Sequence, residues 1–251
     1  LPILPLQKEN DYVIQLQDIP EEIARKAKFM LVSYPNNPTA AMAPESFYHE
    51  VVAFAKKYDI IVLHDNAYSE LVFDGQSCGS FLSIPGAMEV GVEFNSLSKT
   101  YGLAGARIGF CVGNKEVVGM LKTLKSNMDY GMFLPIQAAA VEALTGNQAV
   151  VAETRAAYEH RRDVLCDGLI EAGWHMEKPA GTMFVWAPIP DSYQDSESFV
   201  ADLLDKTGVL VTPGSAFGPS GEGYVRMALV QSEDTMKKIV EAVAASGIFG
   251  K

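Results

Sequence analysis

Phe94-Asn95-Ser96-Leu97-Ser98-Lys99-Thr100-Tyr101-Gly102-Leu103-Ala104-Gly105-Ala106-Arg107-Ile108-Gly109-Phe110 opens as a half-apolar strand, passes through small residues and returns as a strand behind an arginine. The pattern puts one amine, that of Lys99, at a loop tip between hydroxyls. Gly102, Gly105 and Gly109 allow tight turns and close backbone approach there. In isolation a loop lysine is an ordinary solvated charge, so its neighbours decide what it does.

Upstream, residues 29–34 form a short apolar run with the look of a buried strand, ended by a turn over residues 35–38. Residues 45–58 follow with Phe47, Val51, Phe54 and Ala55 at the spacing of an amphipathic helix. Residues 60–63 are again continuously apolar and end at His64-Asp65. Strand, helix, strand in that order predicts a right-handed crossover in a largely parallel sheet, with ligands beyond the carboxyl ends of the strands. Asn37 and Asp65 both lie at such ends.

Downstream, residues 90–97 and 108–112 supply two more strands around Lys99, and Asn114 is a candidate cap for a helix reaching about residue 126. Helices are predicted over residues 133–144 and 148–172, ended by Gly146 and Gly173. Beyond them the pattern changes to short strands near 184–187, 209–211 and 224–229, with helices near 196–206 and 233–245. The expected architecture is therefore α/β with two domains. A three-layer α/β/α domain with a mainly parallel sheet covers residues 1–150, and a small C-terminal α/β domain covers residues 151–251.

The 251 residues carry a net charge of -11, which argues against a nucleic-acid partner, since a phosphate backbone needs a basic face. Cys78, Cys111 and Cys166 are an odd number without Cys-x-x-Cys spacing, so neither a disulfide framework nor a zinc site is suggested, and a reducing, cytoplasmic setting is expected. The four histidines lack ligand spacing. No apolar run approaches the roughly 18 residues that span a membrane.

Three segments together carry a resemblance. Residues 96–110, read as Ser-x-Ser-Lys-x-x-Gly-Leu-Ala-Gly-x-Arg-x-Gly-Phe, resemble the lysine motif of the class I and II aminotransferases of fold type I, which use pyridoxal 5'-phosphate. Tyr34-Pro35-Asn36-Asn37-Pro38-Thr39 resembles that family's Asn-Pro-Thr turn, and His64-Asp65-Asn66-Ala67-Tyr68 its Asp-x-x-Tyr segment. The resemblance leans toward the branch containing LL-diaminopimelate and alanine aminotransferases. It implies that the chain corresponds to the C-terminal part of a family member. The turn that cradles the phosphate and the aromatic that stacks on the ring are expected upstream of it.

By that resemblance, Lys99 forms the Schiff base with the cofactor and then acts as general base. Asp65 keeps the pyridine nitrogen protonated, and Tyr68 with Asn37 hydrogen-bonds the phenolic oxygen. Arg107, Ser96 and Ser98 bind the phosphate. Arg226, a lone charge in the apolar run Val225-Arg226-Met227-Ala228-Leu229, holds the substrate's α-carboxylate beside Asn37. The implied substrates are an amino acid and a 2-keto acid, the implied assembly is a homodimer, and no metal is required.

Each residue also has a plainer reading. Asp65 reads as a helix cap, Tyr68 as a packing aromatic, and Arg226 as half of an internal salt bridge. Residues 211–218, which resemble a loop bordering the family's active site, read equally as ordinary turns. Ala40 departs from the pattern, since glycine usually follows the Asn-Pro-Thr turn. A carbon-sulfur lyase on the same lysine and aspartate, and a non-catalytic sensor domain, are the alternative functions.

Overall fold

The computed structural model describes residues 2–250; Leu1 and Lys251, the outermost residue of each expected domain, lie outside them. In chain order the elements are α1 (Glu21–Lys26), β1 (Phe29–Ser33), α2 (Glu45–Tyr58), β2 (Ile61–Asp65), α3 (Ala87–Val90), β3 (Gly91–Ser96), α4 (Leu97–Thr100) and β4 (Gly109–Gly113). They continue with α5 (Lys115–Met128), α6 (Leu134–Thr145), α7 (Ala149–Glu171), β5 (Phe184–Pro188), α8 (Ser196–Thr207), β6 (Thr212–Pro213), β7 (Tyr224–Ala228) and α9 (Glu233–Ser246).

The first sheet has the order β1-β2-β3-β4, parallel except for β4, which runs antiparallel to β3. This is the mainly parallel sheet expected from the strand-helix-strand pattern. Helix α2 makes the crossover. Its Phe47, Val51 and Ala55 are buried, and the helix stops where Asp59 turns left-handed, with Lys56 and Lys57 near the negative end of its dipole. Burying a side chain such as Phe47 contributes about 1.5–3 kcal/mol, so a few residues hold the helix on the sheet.

Register assigns the faces. Ser33 lies opposite Asp65, and Asp65 opposite Phe94, so three parallel strands end along one edge. Met30, Val32, Val62, His64 and Glu93 alternate onto one face and are buried in the layer that contains α2. Phe29, Leu31, Asp65 and Phe94 share the other face and are exposed. Gly109 is required by packing, since a Cβ there would come within 2.5 Å of the Asn95 carbonyl oxygen.

The second sheet is antiparallel, in the order β5-β7-β6. Leu165 and Leu169 from α7, Phe199 and Leu203 from α8, and Met236 and Val243 from α9 pack with Val225 and Met227 of β7 in a core of their own. The strand expected at 209–211 is instead the two-residue β6. Pro213 has no N–H to extend a ladder, and Val211 is buried in the core without pairing. Asn114 caps α5 as expected, its Oδ1 accepting from the amides of Glu116 and Val117.

Between the sheets, the segment after Tyr68 is fastened to α7. The Arg162 guanidinium donates to both carboxylate oxygens of Asp74 at 2.6 and 2.8 Å and to the Pro179 carbonyl at 3.1 Å. Arg155 Nε donates to the Glu70 carbonyl, and backbone bonds join Leu71 to Thr182 and Phe73 to Ala180. Among the described residues no helix is long and apolar enough to cross a membrane.

Candidate active site

The three motif segments meet at the common strand edge. Asn37 follows β1, Asp65 ends β2, Ser96 ends β3, and Ser98 and Lys99 follow it. Lys99 does not sit at a loop tip. Ser96 Oγ accepts the amide of Ser98 at 3.1 Å and caps α4, so the lysine rides on a helical turn. Its ammonium has no hydrogen bond or ion pair among the described residues.

Asp65 accepts the amide of Ala67 at 3.2 Å through Oδ1, which starts the turn that carries Tyr68, and no cation pairs with it among the described residues. Residues 67–70, just beyond the end of β2, form this turn rather than a helix. Tyr68 is half-buried edge-on to Phe184, with ring centroids 5.9 Å apart. Burial first, and then the charge of Asp65, push its phenol above the ordinary value, while Arg226 pulls it back.

Arg226 has no carboxylate partner among the described residues. One guanidinium nitrogen donates to Asn37 Oδ1 at 2.8 Å, and its Nε is buried without any partner. The group lies over Phe184 at 4.2 Å and Phe217 at 4.7 Å, a cation–π sandwich in which desolvation lowers its pKa. Phe217 brings the loop 211–218 to the border of this group. The internal salt bridge weighed for Arg226 is absent among the described residues.

Arg107 is exposed and donates to the Ala104 carbonyl at 3.1 Å. Backbone bonds put its segment beside the serines, since Leu97 N–H donates to the Ile108 carbonyl and Ser96 pairs with Gly109. A hydrogen bond joins Asn37 to Arg226, and Phe184, which packs against both Arg226 and Tyr68, brings the tyrosine beside them, with Asp65 close enough to act on Tyr68. Ser96, Ser98, Lys99 and Arg107 join them through strand order.

The profile of the family "Aminotransferase class I and II" matches residues 3–243. The chain belongs to that family. Class I and II aminotransferases are pyridoxal-phosphate-dependent. This aminotransferase-family chain is 48% identical over 238 residues to an LL-diaminopimelate aminotransferase of Moorella thermoacetica, a match that takes in 95% of this chain and 61% of that protein. Apo-BacF from Bacillus subtilis superposes with a TM-score of 0.94 at 37% identity, over 99% of this chain and 63% of that one. A probable N-succinyldiaminopimelate aminotransferase from Thermus thermophilus superposes at 0.89 with 34% identity, over 97% and 65%. The chain thus spans about three-fifths of the length of the relatives it matches.

Sequence reasoning passed over a buried polar cluster on the far side of the sheet from Asp65. Glu93, 4% exposed, accepts from Asn66 Nδ2 at 3.1 Å, Asn95 Nδ2 at 2.9 Å and Ser80 Oγ at 2.7 Å, and lies 3.2 Å from His64 Nδ1. Burial alone would raise its pKa; these hydrogen bonds outweigh burial and hold it down to about 2. The signal was present in the sequence as one acid in the apolar run 90–97.

Proposed function

We propose that this chain carries the catalytic lysine side of a pyridoxal-phosphate-dependent aminotransferase that moves an amino group between an L-amino acid and a 2-keto acid. The observation that carries this reading is a set of uncommitted groups, two at the strand edge of the first sheet and one on β7 of the second. Among the described residues the Lys99 amine and the Asp65 carboxylate lack a countercharge, and the Arg226 guanidinium holds only a neutral amide and leaves Nε buried and unpartnered. A buried donor without an acceptor costs about 1–3 kcal/mol, so Arg226 is built for an anion that arrives from outside.

That donor set fits pyridoxal 5'-phosphate. Bound there, the cofactor supplies an aldehyde that takes up the amino group and a protonated ring that withdraws electrons from the substrate's α-carbon. Asp65 holds the proton on the ring nitrogen. Tyr68 and Asn37 donate toward the phenolic oxygen, and Arg107 with Ser96 and Ser98 binds the phosphate. Arg226 fixes the substrate's α-carboxylate and Asn37 borders it. Lys99 Nζ would hold the cofactor and, once displaced by the substrate's amine, would take the proton from the substrate's α-carbon and pass it on to the cofactor within the same half-reaction.

The relatives named LL-diaminopimelate aminotransferase make LL-diaminopimelate the first donor to test. We further propose a division into two domains near residue 150, a homodimer for the whole protein, and a cytoplasmic location. The test is uptake of pyridoxal phosphate followed by absorption, borohydride reduction and peptide mass mapping. A reduced pyridoxyl group on the Lys99 peptide, absent from Lys99→Ala, is the expected result. Labelling spread over surface lysines and unchanged in Lys99→Ala would overturn the assignment. A donor screen then separates transamination from release of pyruvate and ammonia without an acceptor.

A further inference from the structure

The Glu93 side chain bonds two of the three segments that carry the proposed site and reaches the third through His64. Its carboxylate bonds Asn66, which directly follows Asp65 and opens the Tyr68 turn, and Asn95, on the strand that runs into Lys99. His64 extends the reach, with Nδ1 at Glu93 and Nε2 3.2 Å from the carbonyl of Tyr34, where the turn bearing Asn37 begins. Tyr48 of α2 closes over the same ring nitrogen at 3.4 Å. Ser80 links the cluster to the loop before α3.

His64, Glu93 and Asn66 are each nine-tenths or more buried, in a layer where an unbonded charge would be expensive. Nothing in packing alone asks for an acid here, because a leucine would fill the same face of β3 without needing four polar partners. Parallel strand pairing sets the register of β1, β2 and β3 but not the direction in which each chain leaves its strand. The side-chain bonds fix those exits.

Resting on the site reading above, we propose that Glu93 is a positioning residue: from beneath the sheet its carboxylate ties the exits of β2 and β3 directly, and that of β1 through His64, and so sets the spacing of Asn37, Asp65, Tyr68 and Lys99. It touches neither substrate nor cofactor.

The test compares the full chain as wild type, Glu93→Gln and Val62→Ala, the last a cavity on the same face that touches none of these polar groups. Hydrogen–deuterium exchange is read by mass spectrometry without cofactor. In Glu93→Gln, residues 34–40, 65–69 and 95–101 exchange together about 10-fold faster, whereas Val62→Ala loosens strands 29–33 and 61–65 instead. If Glu93→Gln does not fold, Asn66→Ala and Asn95→Ala decide, each freeing its own segment and leaving the other two as in wild type. In chains loaded with pyridoxal phosphate, the pH midpoint of the visible absorption band moves in Glu93→Gln and stays in Val62→Ala. Exchange that follows the Val62→Ala pattern, or an unmoved midpoint, overturns the proposal. A wild-type chain that takes up no cofactor counts against the proposed function, and the exchange pattern still decides for or against Glu93.

Discussion

Asp74→Asn, a change made at the protein surface, is predicted to cost more stability than it would at any ordinary exposed acid, and a second substitution at Arg162 is predicted to restore part of the loss. The Arg162 side chain is 3% exposed and that of Asp74 53%, so one half of the pair is buried and the other half wet. Asparagine keeps the shape and tolerates the positive φ of 57° at this position. What it removes is the charge, leaving the buried guanidinium with Asp163 at 2.8 Å, Glu159 at 3.9 Å and the Pro179 carbonyl.

Breaking a buried pair costs about 3–5 kcal/mol. Asp163 stays in place and solvent screens the Asp74 end, so the estimate drops to about 2 kcal/mol. In a chain of this size that is a fall of roughly 4–8 °C in Tm. Methionine at 162 keeps an apolar stem over Phe73 and removes the stranded cation, so Asp74→Asn/Arg162→Met is expected to recover about 1 kcal/mol relative to Asp74→Asn alone. Urea titrations of the four proteins of this double-mutant cycle measure it. Losses that simply add in the double variant would refute the argument that the cost lies in the stranded buried charge.

Two further outcomes follow from the burial of titratable groups. Glu93 is held down to about 2 in the folded chain, and Arg162 also holds Asp74 below the usual carboxylate range, so the unfolded chain binds more protons as pH falls. Stability is therefore full above about pH 5 and falls toward pH 2, more steeply in wild type than in Glu93→Gln; urea midpoints at pH 7, 4 and 2.5 check this. Burial pushes Cys166 up to about 12 and Cys78 up to about 11, and raises the partly exposed Cys111 as well. Thiol labelling at pH 8 should reach Cys111 first and Cys166 only on unfolding; early labelling of Cys166 would contradict the described core.

Much of the first sheet was legible because its signals are local. The apolar spacing of Phe47, Val51 and Ala55 and the apolar runs 29–34 and 60–63 needed no knowledge of distant contacts. β6 was misread because Val209 and Val211 look like a strand, whereas both pack in the second core and pairing begins only at Thr212. The same physical rule that singled out Arg226, a charge in an apolar strand, applied equally to Glu93 and would have found it. The contact between Arg226 and Asn37 joins residues 189 positions apart; neither spacing nor periodicity encodes such a pairing. The Arg162–Asp74 clasp was hidden for the same reason.

Ala40 was singled out as a departure from the usual glycine, and in the structure it has a φ of 59° and is buried, donating its amide to the Asn36 carbonyl at 3.0 Å. An L-residue in that conformation sits about 1–2 kcal/mol above its relaxed state. The methyl group also removes the many other conformations a glycine would explore before folding. The turn that bears Asn37 is thus a stiff bracket, less comfortable than a glycine version and less free to wander.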